Sequence, residues 1–122
     1  MKIFFADHFK SQLKRLMKKY PSAKEDLLEA LEEGDLQKSV LDKGISIGRS
    51  IYKLRVGSRD MKRGKSGSFR VYIYCFVRRG LLVPLCIYAK PDTSAISENE
   101  LQFHFERIVI ELAKIKAADK FK

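Results

Sequence analysis

Phe69-Arg70-Val71-Tyr72-Ile73-Tyr74-Cys75-Phe76-Val77, then Arg78-Arg79-Gly80, then Leu81-Leu82-Val83-Pro84-Leu85-Cys86-Ile87-Tyr88: the reading of this stretch decides the fold. Two segments dense in β-branched and aromatic residues flank a short turn ending in glycine, which is the pattern of two antiparallel strands. Pro84 has no N–H to give to a ladder, so it predicts an edge position or a bulge in the second strand. Upstream, Ile51-Tyr52-Lys53-Leu54-Arg55-Val56 alternates. Tyr52, Leu54 and Val56 share one face and can pack, while Lys53 and Arg55 present cations on the other. The region from Ile51 to Lys90 therefore predicts an antiparallel sheet about four strands wide, with helices before and after it.

The charge is as concentrated as the strand signal. Between Lys53 and Arg79 nine basic residues (Lys53, Arg55, Arg59, Lys62, Arg63, Lys65, Arg70, Arg78, Arg79) stand against one acid, Asp60, so the segment carries +8 of a formal net +10. Such segregation on a few strands and their loops is the electrostatic footprint of a polyanion-binding surface, and phosphate backbones are the commonest polyanion. The loop Gly57 to Ser68 holds three glycines and four cations, which suits backbone N–H groups and basic side chains laid along a phosphate chain. It lacks the spacing of a P-loop.

At 122 residues with 45% hydrophobic content, the chain is long enough for one compact α+β domain, residues 1–122, and too short for two. The apolar opening Ile3-Phe4-Phe5-Ala6 is too brief for a membrane span or signal core, so no membrane partner and a cytoplasmic location are expected. Cys75 and Cys86 lie inside apolar runs and read as reduced structural thiols. His8 and His104 stand alone in sequence without ligands at metal spacing, so neither a metal nor a cofactor is expected.

Along the chain, Lys2 to Ala6 predicts a short strand, with Asp7 as N-cap of a helix whose apolar positions are Phe9, Leu13, Leu16, Met17 and Tyr20. Pro21 ends it, and Ser22-Ala23-Lys24-Glu25 has the capping-box form that starts a second helix on Leu27, Leu28 and Leu31, with Gly34 as its stop. Asp35 to Arg49 reads as a connection with one short extended piece. After Lys90, Pro91-Asp92-Thr93-Ser94 breaks the strand. Ser97-Glu98-Asn99-Glu100 opens a long helix with Leu101, Phe105, Ile108, Leu112 and Ile115 on its apolar stripe.

This order (strand, helical hairpin, antiparallel strands, C-terminal helix) with cations on the middle strands resembles the RelE/ParE superfamily of bacterial toxins. More closely, Lys62-Arg63-Gly64-Lys65-Ser66-Gly67-Ser68-Phe69-Arg70-Val71 followed by Leu85-Cys86-Ile87-Tyr88-Ala89-Lys90 is similar to the HigB/RelE-type signature. The resemblance implies the toxin half of a type II toxin–antitoxin pair. Such a protein is a ribosome-dependent endoribonuclease that enters the A site, cuts messenger RNA and is silenced by a cognate antitoxin covering its basic surface. It further implies that Arg70 contacts the scissile phosphate, that Lys90 is the basic position ending the last strand, and that Lys53 and Arg55 are the preceding basic pair, one of which can accept a proton.

The residues permit that chemistry without the family name. RNA cleavage can use the 2′-OH as nucleophile, so the protein has only to position the phosphate, stabilise the transition state and move two protons. Arg70 supplies a bidentate electrostatic clamp. Lys53, Lys65 or Lys90 can serve as acid or base, since crowded cations ease deprotonation of an ammonium. Arg55, Arg59, Lys62, Arg63, Arg78 and Arg79 supply phosphate contacts. Tyr72, with Tyr52, Tyr74 and Phe69, offers stacking surface, half of which alternation turns into the core. The resemblance implies a catalytic or stacking tyrosine or histidine near the C-terminal end, whereas the segment after Lys90 offers only Asp92, Thr93, Ser94 and Ser97, with His104 on the helix stripe, so the general acid is unassigned. Two other functions fit the same residues: a ParE-like DNA gyrase inhibitor and a non-catalytic RNA- or ribosome-binding module.

Overall fold

The computed structural model describes residues 2–32, 45–46, 48, 50–60, 68–93 and 95–120. In chain order it places β1 (Lys2–Ile3), α1 (Asp7–Met17), α2 (Ala23–Glu32), β2 (Ile45–Ser46), β3 (Ile51–Gly57), β4 (Ser68–Phe76), a 3-10 turn (Val77–Arg79), β5 (Leu81–Ala89) and α3 (Glu98–Lys120). The strands form one sheet in the order β1-β5-β4-β3-β2. It is α+β as the hydrophobic pattern requires, but the sheet is mixed: β1 runs parallel to β5, and only the other pairs are antiparallel. The fully antiparallel expectation fails at β1, because a two-residue strand has no side-chain pattern to set its direction. Its bonds from Lys2 N–H to Gly80 O and from Phe4 N–H to Leu82 O, both 2.9 Å, do so instead.

The hairpin forms as its sequence dictates. Gly80 takes a left-handed φ of 64° at the end of the turn, a conformation glycine adopts without steric penalty. Pro84 coincides with a register shift: Tyr72 faces Cys86 while Ile73 faces Pro84, leaving Leu85 as the extra residue of a bulge.

Phe69, Val71, Ile73 and Cys75 of β4 form the main core face, joined by Leu54 and Val56 of β3 and by Phe9, Leu13, Ala23, Leu27 and Leu31 from the helical pair. There α1 lies against β5 and α2 against β3, with the Tyr20 and Phe69 rings edge to face at 5.6 Å. The two free thiols are buried on opposite faces by alternation, Cys75 beside Ile73 and Cys86 opposite Tyr72. Burial pushes the Cys86 thiol up to about 12, so it stays an unreactive apolar group.

Three polar devices fix the helices. The described part of β1 covers only the start of β5, and further along the Gln12 side chain substitutes for a strand: its Nε2 donates to Leu85 O at 3.0 Å and its Oε1 accepts from Ile87 N–H at 3.4 Å. Asp7 is the first residue of α1 rather than its cap. The cap is Ala6, without a side-chain bond, and the free N–H groups of Asp7 and His8 donate instead to the Glu111 carboxylate of α3, at 2.6 and 3.1 Å. At the other end of α1, Lys19 Nζ and the Tyr20 hydroxyl donate to Asp92 at 2.6 and 3.1 Å, pinning the helix to the turn that follows β5.

Ser22 starts α2, but its hydroxyl donates to the Asp26 carboxylate at 2.6 Å, in place of the serine–glutamate exchange expected. In the second capping sequence Ser97 Oγ does accept from Glu100 N–H, at 3.1 Å. The expected helix stop at Gly34 lies outside the described residues.

Candidate nucleic-acid interface

Pairing of β3, β4 and β5 sets two rows of side chains on the sheet face opposite Phe69. In the first row Arg55 faces Arg70 and Arg70 faces Tyr88. In the second Lys53 faces Tyr72, and Tyr72 faces Cys86. Directly opposed residues have Cβ atoms about 5 Å apart, and consecutive rows on one face are about 7 Å apart along the strand. Five of the six are thus polar or cationic groups within one ligand's reach.

Arg70 is the centre. Only 8% of its surface is exposed, because β3 and β5 flank it on both sides and Ser68, two residues away on the same strand face, lies beneath it. Its Nη1 donates to Ser68 Oγ and, at 3.4 Å, to Phe69 O. Burial, and then the Arg55 charge across the ladder, pull its pKa below the ordinary guanidinium range. An arginine's pKa is too high for that shift to neutralise it, so the charge persists. Like charges directly opposed across a ladder destabilise a sheet, and Arg55 makes no ion pair among the described residues. A dianionic group seated on this row would relieve that repulsion.

Tyr88 completes the row. It is as buried as Arg70, and among the described residues its hydroxyl has no hydrogen bond of standard geometry. Burial pushes its phenol up, with the Tyr72 phenol and the Arg70 charge opposing that rise. The phenol therefore keeps its proton near neutral pH. In the next row Lys53 Nζ lies 5.7 Å from the centroid of the Tyr72 ring, a cation–π contact. Burial likewise raises the Tyr72 phenol, and its ring lies 6.4 Å from that of Tyr88. Lys90 joins from the end of β5, where its backbone N–H donates to Ser68 O at 3.0 Å.

The structure separates other cations from this cluster. Arg59 turns to α2, where it pairs with Glu25 at 3.1 Å, Asp26 at 3.5 Å and Glu29, so this expected phosphate contact is held in an intramolecular ion-pair cluster. Arg78 and Arg79 sit in the 3-10 turn beyond Phe76, at the opposite end of β4, and Phe76 itself is six residues or about 20 Å from Arg70 at the rise of a strand. They are exposed but do not belong to the same site. Lys62, Arg63 and Lys65 lie outside the described residues. Of the aromatic candidates, Phe69 is fully buried in the main core, while Tyr72 and Tyr74 share the cationic face and Tyr74 packs edge to face on Phe105 at 5.3 Å.

Sequence reasoning missed Tyr88 as a site residue and the pairing of the two histidines. The signal for Tyr88 was available in part: antiparallel pairing of the two strands around Gly80 brings it opposite Arg70 once the Pro84 bulge is counted. His8 and His104 do not stand alone: His8 Nε2 and His104 Nδ1 are 2.7 Å apart, joining α1 to α3. Among the described residues no group of three or more His, Cys, Asp or Glu side chains is placed to hold a metal ion, and no helix is long and apolar enough to cross a membrane.

Chemically, the cluster offers a buried fork of donors with a fixed positive charge, a second guanidinium beside it, a protonated phenol and two lysines. This set can bind a phosphodiester and exchange protons with it. Comparison of the sequence with protein-family models and with curated proteins gives no match.

Proposed function

We propose that this chain is a metal-independent endoribonuclease of the RelE/HigB type, the toxin of a type II toxin–antitoxin pair. In this reading it cuts messenger RNA in the ribosomal A site and is held silent by an antitoxin protein. The observation that carries the reading is the row Arg55, Arg70, Tyr88: a buried guanidinium faced by a second cation on one side and by a buried phenol on the other.

The proposed reaction follows from those groups. Arg70 engages two non-bridging oxygens of the scissile phosphate, and Arg55 adds charge as the pentavalent transition state forms. The RNA 2′-OH attacks the phosphorus, giving its proton to Lys53 or Lys90 in its neutral amine form, which becomes the ammonium. The P–O5′ bond breaks, and Tyr88 donates a proton to the departing 5′-oxygen, leaving a 2′,3′-cyclic phosphate. Tyr88 thus fills the general-acid role that the sequence beyond Lys90 leaves open. Tyr72 stacks on a neighbouring base.

The test is cleavage of a messenger RNA with and without translating ribosomes, by the chain and by Arg70→Lys. That substitution keeps the charge and removes the fork. Loss of at least about a hundredfold in rate is expected, the scale of one lost transition-state donor. Intact RNA in every lane, together with growth arrest on expression, would discard the nuclease and make gyrase supercoiling the next assay. Salt-sensitive RNA binding without cleavage would select the non-catalytic module.

A further inference from the structure

A cleft of about 700 Å³ opens between the cationic face of the sheet and the first turns of α3. Its lining includes the aromatic Tyr72 and Phe105, the apolar Ile51 and Leu101, and the carboxamides Asn99 and Gln102. The two carboxamides are three positions apart on α3 and so share one helix face. The turn that carries them is fixed by the bond from Glu100 N–H to Ser97 Oγ. Asn99 makes no side-chain hydrogen bond among the described residues, while Gln102 Nε2 donates to Glu106 at 3.1 Å.

We infer that this cleft is a nucleobase slot that prefers amino-bearing bases (adenine, cytosine or guanine) over uracil, and that it sets the base preference of the proposed nuclease, on which reading this role rests. The polarity of the two neighbouring sites argues for it. The row at Arg55 and Arg70 carries two guanidinium charges, whereas the described residues lining the cleft include no lysine or arginine and do include Glu98, with Lys53 Nζ 5.7 Å from the Tyr72 ring centroid as the nearest cation. A phosphate is drawn more strongly to the first. A flat aromatic heterocycle has the opposite preference: it stacks on Tyr72 and its polar edge reaches the carboxamides.

Tyr72 belongs to both sites, one row or about 7 Å from Arg70, so a phosphate on Arg70 and its adjoining base in the cleft is a single nucleotide's span. The preference among bases follows from hydrogen-bond complementarity. A carboxylate only accepts, so Glu98 favours an exocyclic amine, while Asn99 and Gln102 can pair with both donor and acceptor of such an edge. Uracil offers carbonyls where the amine would be.

The experiment is NMR titration of the full isotope-labelled chain with 5′-AMP, 5′-CMP, 5′-UMP and ribose 5-phosphate. The Asn99 and Gln102 side-chain amides are expected to shift with AMP and CMP at roughly tenfold lower concentration than with UMP, the scale of one good base-edge contact. They should not respond to ribose 5-phosphate, while the Arg55 and Arg70 side chains respond to all four. In Asn99→Ala/Gln102→Ala the preference should vanish and the arginine response persist. Equal response to AMP and UMP, shifts confined to the arginines, or no shift in α3 would overturn the slot. A chain that cuts messenger RNA without base-dependent shifts loses the slot alone; one with those shifts that cuts nothing keeps a base-binding cleft and loses the nuclease.

Discussion

Arg59 and Arg70 border the same β3–β4 connection, count equally in the net charge and are treated oppositely by the fold. Arg59 is half exposed and held by Glu25, Asp26 and Glu29 of α2. Arg70 is almost fully enclosed on a sheet face and confronts another arginine. The first arrangement is an ion-pair cluster that satisfies itself within the chain. The second sets two guanidinium groups side by side where water is scarce, an arrangement that favours an anionic ligand. The difference teaches that a basic segment is not one surface: the acids of the neighbouring helix cancel part of it, and the pleat decides which cations remain together.

The comparison breaks first at Arg70. Arg70→Ala is expected to reduce ribosome-dependent cleavage by two to three orders of magnitude, roughly the loss seen when a preorganised donor to a transition-state anion is removed. Product formation in single turnover measures it. Next in size is Asp26, the buried member of the Arg59 cluster, which accepts from the Ser22 hydroxyl at 2.6 Å and from Arg59 N–H at 3.2 Å. Asp26→Ala should lower unfolding stability by about 1–3 kcal/mol, since two part-buried donors lose their buried acceptor. A shift in the urea midpoint at unchanged slope reports it.

Arg59→Ala should have a smaller effect, less than about 1 kcal/mol, because its other ion pairs are exposed to solvent and salt. Its cleavage rate should equal that of the unaltered chain. A rate loss as large as that of Arg70→Ala would dissolve the distinction between the two arginines.

The smallest expected effect concerns pH. His8 is held below its ordinary 6.5 by burial and then by Arg107, and His104 by burial and then by His8. With both folded values depressed, the unfolded chain takes up protons first. The pair's contribution is therefore complete above about pH 6.5 and is lost as the pH falls below it. Urea midpoints at pH 7.5 and 5.5 should differ, and His104→Asn should reduce the difference.

What the sequence made legible divides along the same line. Strands β3 to β5, the bulge at Pro84, the helical pair and the long last helix all follow from local periodicity and turn chemistry, which single residues announce. The site was legible where alternation alone assigns a face, as for Lys53, Arg55 and Arg70. It was illegible where partners are distant in the chain. Nothing near Arg59 in sequence reveals the α2 acids, nothing near Gln12 reveals the open edge of β5, and His8 and His104 are 96 positions apart yet share a hydrogen bond. The parallel β1 belongs to the same class, since its direction is fixed by a strand that begins about eighty residues later.

The most direct test places three proteins side by side on translating ribosomes: the unaltered chain, Arg59→Ala and Arg70→Ala, with messenger RNA cleavage as the readout and circular dichroism confirming that each is folded. The account predicts cleavage by the first two at equal rates and none by the third. Cleavage by a folded Arg70→Ala at the unaltered rate would contradict it.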